Sequence, residues 1–139
     1  MHLLLVFHCA ATFFMVGVIW FVQIVHYPLF RQVGLDEFTR YEFAHSRLTS
    51  FVVMPTMVLE LGTGIALLWL AVPGVETEHF YFGGGLLLVI WIATFFLQVP
   101  KHRALSRGFD FDMHRELLTT NWIRTAAWTV RGLLMLYVI

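Results

Sequence analysis

Long apolar runs alternate with short polar connections along the whole chain. Four such runs, roughly Leu3–Val25, Leu48–Val72, Phe80–Val99 and Trp122–Ile139, hold few charges. At about 1.5 Å per residue each spans roughly 27–37 Å as a helix, enough for a hydrocarbon core of about 30 Å. The pattern predicts an all-α, polytopic membrane protein. The expected architecture is a four-transmembrane-helix bundle filling a single domain over 1–139, with helices near 3–27, 45–72, 80–99 and 119–139.

Each run also carries a polar stripe. At 100° per residue, His8, Thr12, Gln23 and His26 share one face of the first helix, and His45, Thr49, Thr56, Glu60 and Thr63 share one face of the second. Trp91, Thr94, Gln98 and His102 line up on the third. Asn121, Thr125 and Trp128 line up on the fourth, with Arg124 and Arg131 along its flank. Polar side chains facing lipid are costly, so the four stripes are expected to turn inward and share an interior. Hydrogen bonding between helices alone would account for the threonines.

Prolines punctuate the runs. Pro28, Pro73 and Pro100 are expected to end the first three helices, and Pro55 to kink the second, freeing the Phe51 carbonyl. The connection Leu29–Arg47 is amphipathic and partly helical by pattern. In the connection Lys101–Thr119, Asp112 is the expected N-cap of a lead-in to the fourth helix. Gly62, Gly64 and Gly83–Gly85 suit close helix contact.

Composition agrees with this reading. The 139 residues are 59% hydrophobic and 13% charged, against about 45–50% and about 25% in soluble domains. Arg31, Arg40, Arg47, Lys101, Arg103, Arg107, Arg115 and Arg124 cluster near two connections, whereas the one around Pro73–His79 has only Glu76 and Glu78. The positive-inside bias then places both termini outside the cytoplasm. Basic residues interleaved with acids at a membrane boundary exclude nucleic acid as a partner. Cys9, the single cysteine, excludes an intrachain disulfide and reads as a buried thiol. The first run lacks a basic leader and outlasts a signal-peptide core, so it reads as a retained membrane helix.

Two clusters can carry chemistry. Glu60 and Arg131 fall at similar depths, about 22 and 18 Å from the cytoplasmic surface. They are expected to pair, either as a fixed brace or as a site where Glu60 handles a proton or ligand. Nearer that surface lie His26, His45, Gln98, His102, Asn121 and Arg124, with Tyr27, Tyr41 and Glu42 close by. Imidazoles His26, His45 and His102 suit a transition metal (iron, copper or zinc), or simply meet lipid headgroups. No His-x-x-x-His or Glu-x-x-His pair is read on one helix, although metal-bundle signatures usually supply one. Haem is the weaker cofactor reading. His8 and His26 share a face, yet only His79 stands near the other side as a partner for His8.

The segments Asn121-Trp122-Ile123-Arg124-Thr125 and His26-Tyr27-Pro28-Leu29-Phe30, within a four-span layout of this size, resemble bacterial small integral membrane proteins related to the anthrone-oxygenase-like family. The resemblance implies a four-helix bundle in the bacterial inner membrane and oxygenation of a polycyclic aromatic substrate. By position it makes His26, Asn121 and Arg124 the functional candidates.

Three functions remain open from sequence. One is a membrane oxidoreductase or oxygenase-like protein acting on a lipophilic small molecule, with His26, His45, His102, Asn121 and Arg124 at its site. Another is a proton-coupled transporter using Glu60 and Arg131. The third is a non-catalytic subunit of a larger membrane complex or homo-oligomer. In each the lipid bilayer is the surrounding partner.

Overall fold

A computed structural model describes residues 2–70 and 72–139; Ala71, within the second predicted run, lies outside the described residues. The described residues are mostly helical, with short turns between the helices and no strand. Helix α1 (His2–Phe21) passes through a π-helical turn (Val22–His26) into the short α2 (Tyr27–Leu29) and a 3₁₀ turn (Phe30–Gln32). Helix α3 runs Leu35–Trp69, and α4 (Thr77–Ala93) passes through a second π turn (Thr94–Gln98) into α5 (Val99–Leu105). The last helix, α6, spans Phe111–Val138. The continuous helical stretches His2–Gln32, Leu35–Trp69 and Thr77–Leu105 are long and apolar enough to cross a membrane. Helix α6 has the length, 28 residues, but Arg124, Arg131 and its polar first turns dilute its apolar character.

Two expectations about punctuation are corrected. Pro28 and Pro100 do not end their helices. Each lies two residues beyond a π turn, at the start of the next helical segment. A proline ring crowds the carbonyl four residues back and offers no N–H, and the wider π turn absorbs both demands without breaking the rod. The N-cap of α6 is Asp110, whose carboxylate accepts from the Met113 N–H at 2.8 Å, and not Asp112. Asp112 sits in the first turn and pairs with Arg115 at 3.3 Å. Pro73-Gly74 makes the tight turn between α3 and α4, closed by Val75 N–H on the Val72 carbonyl at 3.1 Å, with Gly74 at φ +82°.

The long helices form a ring in which α1 and α4 each pack against both α3 and α6. Its interior alternates between apolar and polar layers. Leu5, Cys9, Leu67, Phe80 and Met135 close the end bearing the termini. Met15, Ile19, Met57, Ile90 and Trp128 fill the middle. Tyr27, Phe30, Phe38, Leu105 and Leu117 close the far end. Between the first two layers lie His8, Thr12, Glu60, Thr63 and Arg131, and between the last two lie Gln23, His45, Gln98, Asn121 and Arg124, all buried. The outer surface is apolar instead, with Phe51, Phe82, Leu88, Phe96, Leu133 and Leu136 all more than half exposed. This inverted polarity is what an apolar solvent selects.

His114 anchors α6 to α2. Its Nε2–H donates to the Tyr27 carbonyl at 2.8 Å in a buried position. Burial pulls this imidazole below its ordinary value, outweighing the carbonyl that favours its charged form, and the Arg31 charge adds to the depression. The folded state therefore takes up this proton less readily than the unfolded chain. Its contribution to stability is complete above about pH 6.5 and is lost as pH falls below it. His114→Gln should show a smaller drop in thermal midpoint between pH 7 and pH 5 than the wild type.

Glycine alone does not decide which side of a helix is close-packed. On α3, a Cβ at Gly64 would meet the His8 ring at 3.2 Å and Leu87 at 3.3 Å, whereas one at Gly62 would meet nothing within 4 Å. Gly64→Val should cost about 1–3 kcal/mol through overpacking. Gly62→Val should be neutral or slightly stabilising, which thermal unfolding in detergent would check.

Candidate functional site

The two polar layers differ in how completely their groups are satisfied. In the layer nearer the termini, Glu60 Oε1 accepts from Thr12 at 2.8 Å and from Arg131 Nε at 3.0 Å, and Oε2 accepts from Trp128 Nε1 at 3.0 Å. Arg131 also donates through Nη1 to the Gly83 carbonyl and through Nη2 to His8 Nε2 at 3.1 Å. The His8 Nδ1–H in turn meets Thr63 Oγ1 at 2.8 Å, and Thr63 donates to the Leu59 carbonyl at 2.7 Å. The chain of donors and acceptors closes with one consistent tautomer for His8. Both ring nitrogens of His8 are taken, so it has none free for a haem iron. Glu60 and Arg131 are 0% and 1% exposed, and neither lines the cavity that opens beside His45 and His102. A fully hydrogen-bonded, dry ion pair of this kind sets helix register.

The second layer is built by the two π turns, the early turns of α3, and α5 and α6. The first π turn supplies Gln23 and His26, and the second supplies Thr94 and Gln98. Gln23 Oε1 accepts from Asn121 Nδ2 at 2.9 Å, and Gln23 Nε2 donates to the Leu118 carbonyl at 3.2 Å. The other end of Asn121 accepts from Arg124 Nη1 at 3.3 Å. Asn121 is therefore consumed in holding Arg124, whose guanidinium lies 5.1 Å from the Trp128 ring centre.

The three candidate imidazoles do converge. His26 Nε2 lies 2.8 Å from His45 Nδ1, which also contacts Thr49 Oγ1 at 3.2 Å. His102 Nδ1 lies 2.6 Å from Glu42 Oε1, and the Tyr27 hydroxyl lies 2.8 Å from His102 Nε2. Ser46 adds a donation to Glu42 Oε1 at 3.0 Å. Donor atoms of Glu42, His45 and His102 lie within 4.8 Å of one another, so these three can hold a metal ion. His26 stands behind His45. Glu42 belongs at the centre of the cluster because α3 begins at Leu35 and not near His45. Glu42 and His45 are therefore a Glu-x-x-His pair on one helix, at the spacing that turns both side chains to one face.

This layer keeps loose ends. Glu42 Oε2, Gln98 Oε1 and Arg124 Nε are buried with no hydrogen-bond partner. Beside them opens a cavity of about 350 Å³. Met15, Ile19, Val53 and Met57 make its apolar wall, and His45, Gln98, His102 and Arg124 its polar end. Its exposed rim residues Phe43, Ser50 and Met54 lie on α3, and Val99 and Arg103 on α5, so the mouth lies between those two helices. A concave, mostly apolar site with a few converging polar groups is the ordinary form of a small-molecule pocket. No known protein family, curated protein or solved structure matches the chain.

The contrast between layers gives a prediction for the first one. Arg131→Leu leaves a buried carboxylate unpaired and should cost about 3–5 kcal/mol, whereas replacing Glu60 and Arg131 together by leucine should cost less than that single change. Unfolding of the three proteins in the same detergent tests the ordering.

Proposed function

We propose that this protein is an integral membrane oxidoreductase of the oxygenase-like kind, acting on a lipophilic small molecule that enters the cavity from the side. The observation that carries the reading is a buried arginine with a free Nε–H at the polar end of an otherwise apolar cavity. Arg124 is held from behind by Asn121 and Trp128, so its free edge is presented to an oxygen atom of the bound molecule. Gln98 fixes the same end through its free carbonyl oxygen, while its amide nitrogen is spent on Thr120 at 3.0 Å. The methionines and branched side chains of the wall exclude water. The cluster of Glu42, His45 and His102 shares this polar end, and its imidazoles and carboxylate are placed to take up and release a proton there.

The same reading makes α6 a fourth membrane span. Arg124 and Arg131 point inward, Arg115 lies in the exposed first turns, and Ile123, Val130, Leu133 and Leu136 face out. Basic connections then lie on the cytoplasmic side of a bacterial inner membrane, with both termini opposite, and the cavity mouth opens near the cytoplasmic leaflet. We extend the proposal to kinship with the anthrone-oxygenase-like proteins, since His26, Asn121 and Arg124 gather at one end of the bundle.

The test is conversion of an unfractionated lipophile. Purified protein is incubated with a total lipid extract of its host cells in air and under argon, and the extract is profiled by mass spectrometry. One species should change mass in air only. The change should fall at least tenfold with Arg124→Gln and with Met57→Trp, which fills the cavity. An extract that stays unchanged in air, or one changed equally by all three proteins, would overturn the reading.

A further inference from the structure

Seven histidines occur in the chain, and the structure sorts all but the exposed His2 by what their nitrogens do. His8 has both nitrogens engaged by Arg131 and Thr63, and His114 is committed to the Tyr27 carbonyl. His79 is half-buried, meets the Glu76 carbonyl and lies beside the Tyr137 ring. His26, His45 and His102 instead form one connected group with a carboxylate at its centre. That carboxylate is anomalous. Glu42 is 0% exposed, and one of its two oxygens has no partner. A buried carboxylate oxygen left bare is costly, and it is an acceptor awaiting a cation.

We propose that Glu42, His45 and His102 bind one divalent first-row transition-metal ion, with the remaining coordination position open to the cavity. The proposal names the reactive group of the function proposed above and rests on that reading for its purpose, although its geometry stands alone. Two imidazoles and one carboxylate suit zinc or ferrous iron. Calcium and magnesium prefer all-oxygen shells, and none of the three ligands offers the sulfur that favours cuprous copper. Donor atoms on a tetrahedral ion with bonds of about 2.1 Å stand about 3.4 Å apart. Those of the cluster already lie within 4.8 Å, with His102 Nδ1 and Glu42 Oε1 at 2.6 Å. An ion between them therefore needs side-chain shifts of about an ångström and no movement of helices.

Each ligand also has its own orienting partner, as bundle metal sites require. In the metal-free arrangement His102 donates Nδ1–H to Glu42 and accepts from Tyr27 at Nε2. With the ion on Nδ1, the proton moves to Nε2 and is donated to the Tyr27 hydroxyl oxygen, so the same contact survives with its direction reversed. His45 keeps Nδ1 on His26 and Thr49 and turns Nε2 to the ion. Ser46 holds Glu42 Oε1. Because His45 and His102 both line the cavity, the open position faces the space the lipophile occupies. Three protein ligands with one vacancy is the arrangement of a catalytic ion and not a structural one.

Cobaltous ion is the probe, since its visible absorption reports coordination by protein. Titration of metal-stripped protein should give d–d bands that saturate at one equivalent per chain and are displaced by zinc. Glu42→Gln, His45→Ala and His102→Ala should each weaken binding at least tenfold, and His26→Ala about tenfold through His45, while His79→Ala changes nothing. X-ray absorption of the cobalt-loaded wild type needs no variant and should count two imidazoles. Absence of saturable bands, bands unaltered by Glu42→Gln and His45→Ala, or a spectrum without imidazole overturns the site. Binding of 1-aminoanthracene to wild type and to Met57→Trp, read by fluorescence, separates the two proposals. Cavity binding that is lost in Met57→Trp while cobalt fails to bind removes the metal alone. Cobalt binding with no cavity binding removes the lipophile reading alone.

Discussion

The carboxylate of Glu60 is where all four long helices must agree on their register. It is carried by α3, met by Thr12 from α1 and by Trp128 and Arg131 from α6, and linked through Arg131 to the Gly83 carbonyl of α4. In a dry interior, leaving any of these groups unpaired costs far more than the loss of an ordinary surface contact. A slide of one helix by a single turn would break several of the bonds together. The close seats at Gly64 and Gly83 follow from the same node, since a side chain at either would push on His8, Leu134 or Arg131. Apolar packing above and below then fills what the polar node has already aligned.

That rigidity gives the other polar layer its meaning. Both layers are built from the same kinds of residue, at similar burial and in the same bundle. One closes on itself, whereas the other leaves an acid, an amide and a guanidinium each with an idle atom beside a cavity. Natural interiors rarely leave such groups bare. The π turns contribute to the difference. Each widens a helix just where Gln23, His26, Thr94 and Gln98 are delivered, so these side chains sit off the line that an unbroken α-helix would give them.

Much of this was legible in the sequence, and the rest was hidden for identifiable reasons. Helical periodicity in an apolar chain is a strong signal, because each inward polar group is expensive if it points the wrong way. It put Glu60 and Arg131 at matching depth, and it gathered His26, His45 and His102 at one end. Glu42 reads from sequence only as a neighbour of the cluster and not as a ligand on the helix of His45, because a helix that continues into polar residues leaves no hydropathy edge. Prolines were read as terminators because a π turn has no residue signature of its own. Asp110 and Asp112 are both good caps by type, and only backbone geometry distinguishes them. His114 sits in the polar first turns of α6, where nothing in the residue pattern marks it as buried. Hydropathy also understates α6, whose Arg124 and Arg131 lower its average while facing inward.

The order of the chain adds a constraint on how the molecule is made. Arg131 lies nine positions after Trp122 in the last helix, and its partners Glu60, Gly83 and His8 all belong to helices synthesised earlier. Until α6 has been made and inserted, those three stand as a half-built socket with a carboxylate and no counter-charge. The nascent protein therefore passes through a stage in which three helices wait, incompletely compensated, for the fourth to arrive. Quality-control proteases that scan for exposed charge have their opportunity in that interval, and any lesion that delays or truncates α6 lengthens it.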